Sequence, residues 1–83
     1  MKDAIINVFK RVFDSDVINS ETSQQNMGKW DSINHLRLIV ELEEEFNISF
    51  DPEEIIVMKS INSIENIVKE KIDHLKSHNN SRD

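Results

Sequence analysis

Apolar residues recur so densely between Ser32 and Phe46 that only a helix packed on several sides accommodates them. At about 100° per residue, Ile33, Leu36, Leu38, Ile39, Val40, Leu42 and Phe46 spread over well over half of a helix circumference. The polar strip left over holds Asn34, Arg37, Glu41, Glu44 and Glu45. That apolar arc is wider than a surface helix needs. In a chain of 83 residues it implies a small bundle around one core. One glycine, one proline and few aromatic residues argue against a β-sandwich or barrel. The expected fold class is therefore all-α.

The remaining segments supply the partners. Ile5, Val8, Phe9 and Val12 recur at helical spacing, which predicts an amphipathic helix from Lys2 to about Phe13. A long polar stretch from Asp14 to Asp31 follows, with Val17, Ile18, Met27 and Trp30 expected to tether it to the core. Loops beyond about 12–15 residues are uncommon in compact domains and tend to be functional or mobile. After Phe46, Ile48 and Phe50 read as loop anchors. Asp51-Pro52-Glu53-Glu54 then opens a short helix, with Asp51 as cap, Pro52 in the first position and Glu54 as the reciprocal acceptor. The run Ile55-Ile56-Val57-Met58 cannot all face inward, so part of it is expected at the surface. Ser60 or Asn62 caps a last helix whose buried stripe is Ile61, Ile64, Ile67, Val68, Ile72 and Leu75. The expected layout is three main helices plus a short third one, with a bundle over 1–76 and a flexible polar tail over 77–83.

Several function classes drop out. The net charge of −6 leaves no basic face for a nucleic acid. The acids suit partners with basic surfaces, although excess acid also keeps a small protein soluble. No apolar run reaches the roughly 18 residues of a membrane span, and the N-terminus turns amphipathic at once, without a signal-peptide core. With no cysteine, there is neither a disulfide nor a thiolate of the chain's own; a cytoplasmic monomer is expected. A calcium loop starting at Asp14 fails, because Ile18 takes a ligand position and Gln25 stands where a bidentate glutamate belongs. His74 and His78 have helical spacing, but without a third ligand they support only adventitious metal binding, and no metal site is expected.

Asp31-Ser32 stands where the irregular stretch becomes the dense helix. Taken alone, the pair reads first as a helix cap, since both side chains accept orphan backbone N–H groups. A serine hydroxyl at a helix start is also a place where a phosphate is favoured, by the free amides and the helix dipole. Trp30 reads as a loop anchor, with contact to a bound group or partner as the alternative. His35 reads as a partly covered surface residue, and Glu43, projecting within the apolar arc, as a sign that part of the arc faces a partner. Arg37 and Glu41, four apart, are expected to pair for about 0.3 kcal/mol. A hydrolase built on Ser32 and His35 has no oxyanion-hole motif to support it.

The run Asp31-Ser32-Ile33, followed by Leu36, Leu38-Ile39, Leu42-Glu43-Glu44-Glu45-Phe46 and Ile48, resembles the acyl carrier protein family. Gly28 three residues before the aspartate, the long first loop, the short third helix and the total length extend the resemblance over nearly the whole chain. Ile33 stands where leucine is usual. The resemblance implies that Ser32, beside Asp31, carries 4′-phosphopantetheine placed there from coenzyme A by a phosphopantetheinyl transferase. It implies that the distal thiol holds acyl groups as thioesters, and that the protein shuttles them and catalyses nothing. Loading ligases and acyl-transfer or synthase enzymes are the implied partners. Recognition in the family falls on the second helix: Asp31, Glu43 and Glu44 match its acidic positions. Asn34, Arg37 and Ile56 stand where acids are common, so Ile33, Val40 and Ile56 are expected to form an apolar landing patch beside Ser32, with Arg37 also among the partner-binding residues. Trp30 replaces a residue that is usually small. These departures point to a dedicated polyketide, lipid or surface-glycan pathway rather than housekeeping fatty-acid synthesis alone. An aminoacyl or peptidyl carrier is the alternative, against which the acidic run Glu41-Leu42-Glu43-Glu44-Glu45 argues mildly.

Overall fold

A computed structural model describes the backbone of residues 1–81 and the side chains of residues 1–75. Four helices follow in order: α1 (Lys2–Phe13), α2 (Ser32–Phe46), α3 (Pro52–Val57) and α4 (Ile61–Ser81). The first two have the expected bounds. Among the described residues the only extended pairing is an isolated antiparallel bridge, Ser23 to Ser60. No described helix is long and apolar enough to cross a membrane.

Each helix is bounded by local chemistry. α1 and α2 end in left-handed residues, Asp14 at φ 50° and Asn47 at φ 54°, whose N–H groups bond back to Lys10 and Glu43 carbonyls. Asp and Asn tolerate this conformation better than most residues do. α2 is capped by Asp31, whose Oδ1 accepts from Asn34 N–H at 2.9 Å. α3 opens as its sequence indicates, with Glu54 Oε1 accepting from Asp51 N–H at 2.7 Å. For α4 the cap is Ser60 and not Asn62: Ser63 N–H donates to Ser60 Oγ at 3.1 Å. α4 continues to Ser81, so secondary structure does not change at the 76/77 division. The flexibility expected of the 77–83 tail, and the side chain of His78, lie outside what the structure describes.

α1 packs against both α2 and α4. Ile5, Val8 and Phe9 meet Leu38, Leu42, Met58, Ile61, Ile64 and Val68 in one core, all fully buried. Trp30 belongs to that core. It meets Phe9 edge-on, with centroids 5.0 Å apart, and lies 6.2 Å from Phe13. Such edge-to-face pairs add to the burial of their apolar area.

The long loop is knitted rather than loose. Thr22 is buried, and its Oγ1 accepts from Asn19 N–H at 3.1 Å. Asn26 Oδ1 accepts from Ser23 N–H at 2.9 Å, and its amide donates to Glu21 O at 3.0 Å. Gln24 N–H donates to Lys59 O at 2.9 Å, and Ile61 N–H to Thr22 O at 3.1 Å. These two bonds staple the middle of the loop to the α3–α4 joint. Ile18, Met27 and Trp30 act as its tethers, but Val17 does not: it is 79% exposed. With the backbone bonds holding the loop, Val17 is not needed as an anchor. Leu75, expected in the α4 stripe, is also exposed, because the packed part of α4 ends before it.

The pairing of Arg37 with Glu41 does not form. Arg37 Nη1 donates to Asn34 Oδ1 at 3.3 Å, while Glu41 and Glu45 both face Arg11 of α1 at 3.5 Å. Packing α1 on α2 offers Glu41 a cation from the neighbouring helix instead of its own. At the other side of the bundle, Lys71 Nζ lies 2.8 Å from Glu54 Oε1 and 3.7 Å from Asp51 Oδ2, tying α4 to α3. Partial burial pushes the Glu54 carboxyl up, but the Lys71 ammonium and the Asp51 N–H more than offset this and hold it below its ordinary 4.5. The hydrogen bond to Glu54 holds Lys71 above its ordinary 10.5, against partial burial. The Glu54 contribution is therefore present above pH 4.5 and is lost as pH falls through the depressed value; the Lys71 contribution is present below 10.5 and lost above it. Lys71→Met is expected to cost about 0.5–1 kcal/mol at neutral pH and to flatten the acid limb of stability below pH 4.5, as read by urea midpoints across pH.

Candidate functional site

The turn at Trp30-Asp31-Ser32 is built from both sides. Upstream, Trp30 N–H donates to Met27 O at 3.1 Å and Asp31 N–H to Lys29 O at 2.9 Å. Downstream, Asn34 reaches back, its amide donating to Lys29 O at 2.8 Å. Arg37 steadies Asn34 from one turn further on. Asp31 supplies the cap, which leaves Ser32 as the first residue of the helix, with its side chain exposed. The cap reading of the pair is thus satisfied by Asp31 alone. The N–H groups of Ser32 and Ile33 have no partner within the helix. A cleft of about 490 Å³ opens here, lined by Gln24, Trp30, Asp31, Ser32, His35 and Leu36. A second cleft, of about 600 Å³ between Asn47–Ser49 and α4, shares no lining residue with it.

Below the turn lies a feature that sequence reasoning missed. Trp30 Nε1–H donates to His35 Nδ1 at 2.8 Å. His35 Nε2 lies 2.9 Å from Ile55 O on α3. Indole N–H can only donate, so His35 Nδ1 is the acceptor and Nε2 carries the proton it donates to Ile55 O. The signal was available: a buried tryptophan needs an acceptor for its N–H, and His35 is the first imidazole along the adjoining helix. With both ring nitrogens engaged, His35 is not free to take a proton from Ser32.

The residues expected at a partner face divide. Ile33, Val40 and Ile56 are 73%, 52% and 71% exposed, and Leu36 and Val57 join them at the surface. Arg37 and Glu44 are exposed too. Ile33, Leu36 and Val40 form one stripe of α2 by helical spacing, and Ile56 follows the carbonyl that His35 holds. Glu43 is different: it is half-buried, and its Oε2 accepts from Phe50 N–H at 2.9 Å, tying the α2–α3 connection to α2. Gly28 is not required by the backbone, since it has no positive φ and a Cβ there would meet nothing within 4 Å. Among the described residues no three His, Cys, Asp or Glu side chains gather as for a metal ion.

The model of the phosphopantetheine attachment site family matches residues 3–69. The chain belongs to that family. A carrier of similar fold is the holo acyl carrier protein from Geobacter metallireducens, known from a solution NMR structure. It is 34% identical, with a TM-score of 0.82, over 93% of this chain and 91% of that one. No curated protein sequence matches the chain. This carrier is of the acyl-carrier type and is not a catalyst; its prosthetic group is covalently attached phosphopantetheine. The first turn of α2 has the chemistry to hold such a group: an exposed hydroxyl, unpaired helix N–H groups for a phosphodiester, and an open cleft beside them.

Proposed function

We propose that Ser32 is the attachment residue and that the protein carries acyl groups for a dedicated pathway rather than for housekeeping fatty-acid synthesis alone. The single observation behind the attachment is the division of labour at the turn. Asp31 caps the helix, which leaves the Ser32 hydroxyl exposed and uncommitted. Bound there, phosphopantetheine supplies a thiol that holds the acyl group as a thioester. The chain's own part is to orient and present: the helix start would hold the phosphodiester, and the Trp30–His35 and Asn34–Lys29 bonds brace the turn.

The dedicated role rests on the surface around Ser32. Ile33, Val40 and Ile56 offer apolar area there, with Arg37 among them and Glu44 as the exposed acid. A patch of that kind suits partners that bury apolar side chains, with charge limited to the rim. A phosphopantetheinyl transferase, a loading ligase and acyl-transfer or synthase enzymes are the partners this reading requires. Incubation with coenzyme A, magnesium and a broad-specificity transferase is expected to raise the intact mass by one phosphopantetheine, located on Ser32 by peptide fragmentation. No gain, or a gain located elsewhere, overturns the attachment. Extension by fatty-acid synthase enzymes as efficient as that of a housekeeping carrier overturns the dedicated role.

A further inference from the structure

We propose that His35 is a protonation-sensitive latch, which ties α3 to α2 and to the buried Trp30 while neutral and releases them on protonation. This does not depend on the assignment of Ser32. The chain of donors runs one way, from the Trp30 indole to Nδ1 and from Nε2 to the Ile55 carbonyl. Only one neutral tautomer satisfies both bonds. A proton taken from solvent at Nδ1 occupies the lone pair that Trp30 uses, and two N–H groups then face each other. Trp30 is 4% exposed, so its indole has no water to turn to. The ring must swing out, and the bond to Ile55 O goes with it.

α3 is the element such a release moves. It spans six residues and none of them is fully buried. A helix that short has no stability of its own. It is held through Ile55, which packs partly buried against the core, Met58 just beyond it, the Lys71 pair on one side and His35 on the other. Losing the His35 tether frees the side of α3 that faces α2, beside the cleft at Ser32.

Few charged groups surround the ring. At the cap of α2 the Asp31 carboxylate is held by Asn34 N–H, and on α2 the Arg37 guanidinium is held by Asn34 Oδ1. In the loop, Lys29 is exposed. α3 presents the Ile55 carbonyl, while Glu54 is turned to Lys71 of α4 and Glu53 is exposed. From α1, Phe9 and Phe13 flank the indole. None of these groups lends His35 a proton acceptor other than the main chain. A proton gained at Nδ1 therefore breaks both tethers at once, and acidification that protonates the ring opens the latch.

The test uses the intact protein. At neutral pH, nitrogen-15 NMR of the imidazole is expected to place the proton on Nε2, with the Trp30 indole N–H slow to exchange. Lowering the pH to about 5 is expected to reduce hydrogen-exchange protection of the Glu53–Met58 amides at least several-fold beyond the intrinsic change. His35→Gln keeps a non-titrating acceptor and donor; it is expected to lose the pH response. His35→Leu, with neither group, is expected to be unprotected at both pH values. A neutral-pH proton on Nδ1 overturns the proposal, as does unchanged α3 protection in the native protein. A response that survives in His35→Gln belongs to another group and overturns it as well.

Discussion

Replacing Trp30 with alanine is expected to lower the unfolding free energy by about 3–5 kcal/mol. The side chain is 4% exposed and packs edge-on against Phe9, with Phe13 and the His35 ring also alongside. Its loss opens a cavity between α1 and the start of α2. It also removes the donor to His35 Nδ1, so a half-buried acceptor is left dependent on water. Domains of this size hold only about 5–15 kcal/mol in total, so the loss is a large share of the stability. Trp30→Phe keeps most of the packing and is expected to cost about 1–2 kcal/mol, chiefly from the lost hydrogen bond and reduced contact. Urea unfolding followed by far-ultraviolet circular dichroism separates the two. A cost below about 1 kcal/mol for the alanine variant contradicts the placement of the indole in the core.

Ser32→Ala is expected to abolish incorporation of phosphopantetheine completely while leaving stability within about 0.5 kcal/mol of the native protein. Its side chain is exposed and takes no part in the cap. Asp31→Ala is expected to behave in the opposite sense, losing about 1 kcal/mol of stability because Asn34 N–H loses its acceptor. Loading of Asp31→Ala is expected to slow but to persist, since the hydroxyl remains. Intact-mass kinetics and unfolding midpoints on the same two variants distinguish the roles. Equal loss of stability in both variants contradicts the division of labour at this turn.

Sequence reasoning reached the helices because their signals are local. The apolar spacing of Ile5, Val8 and Phe9, and the Asp51-Pro52 opening of α3, need no knowledge of neighbours. Asp31-Ser32 is likewise legible as a helix start. What escaped depends on which elements meet. Glu41 prefers Arg11 over Arg37 only once α1 lies on α2. Glu43 caps Phe50 N–H because the chain folds back after α2. Val17 lies exposed because the loop is held by bonds to the α3–α4 joint. The Trp30–His35–Ile55 chain combines a local pair with a contact 20 residues away, and only its first half had a signal in the sequence.

The buried indole beneath the proposed attachment turn also has a practical side. The chain contains one tryptophan, and its only polar atom is committed to the neighbouring imidazole. Its fluorescence therefore reports a single location, in the lining of the cleft that also holds Ser32, the proposed attachment residue. Emission colour and quenching are expected to give a label-free optical signal for loading and partner capture at Ser32. Substrate screens can thus be run on the unmodified protein, with no dye grafted near a surface that partners must read.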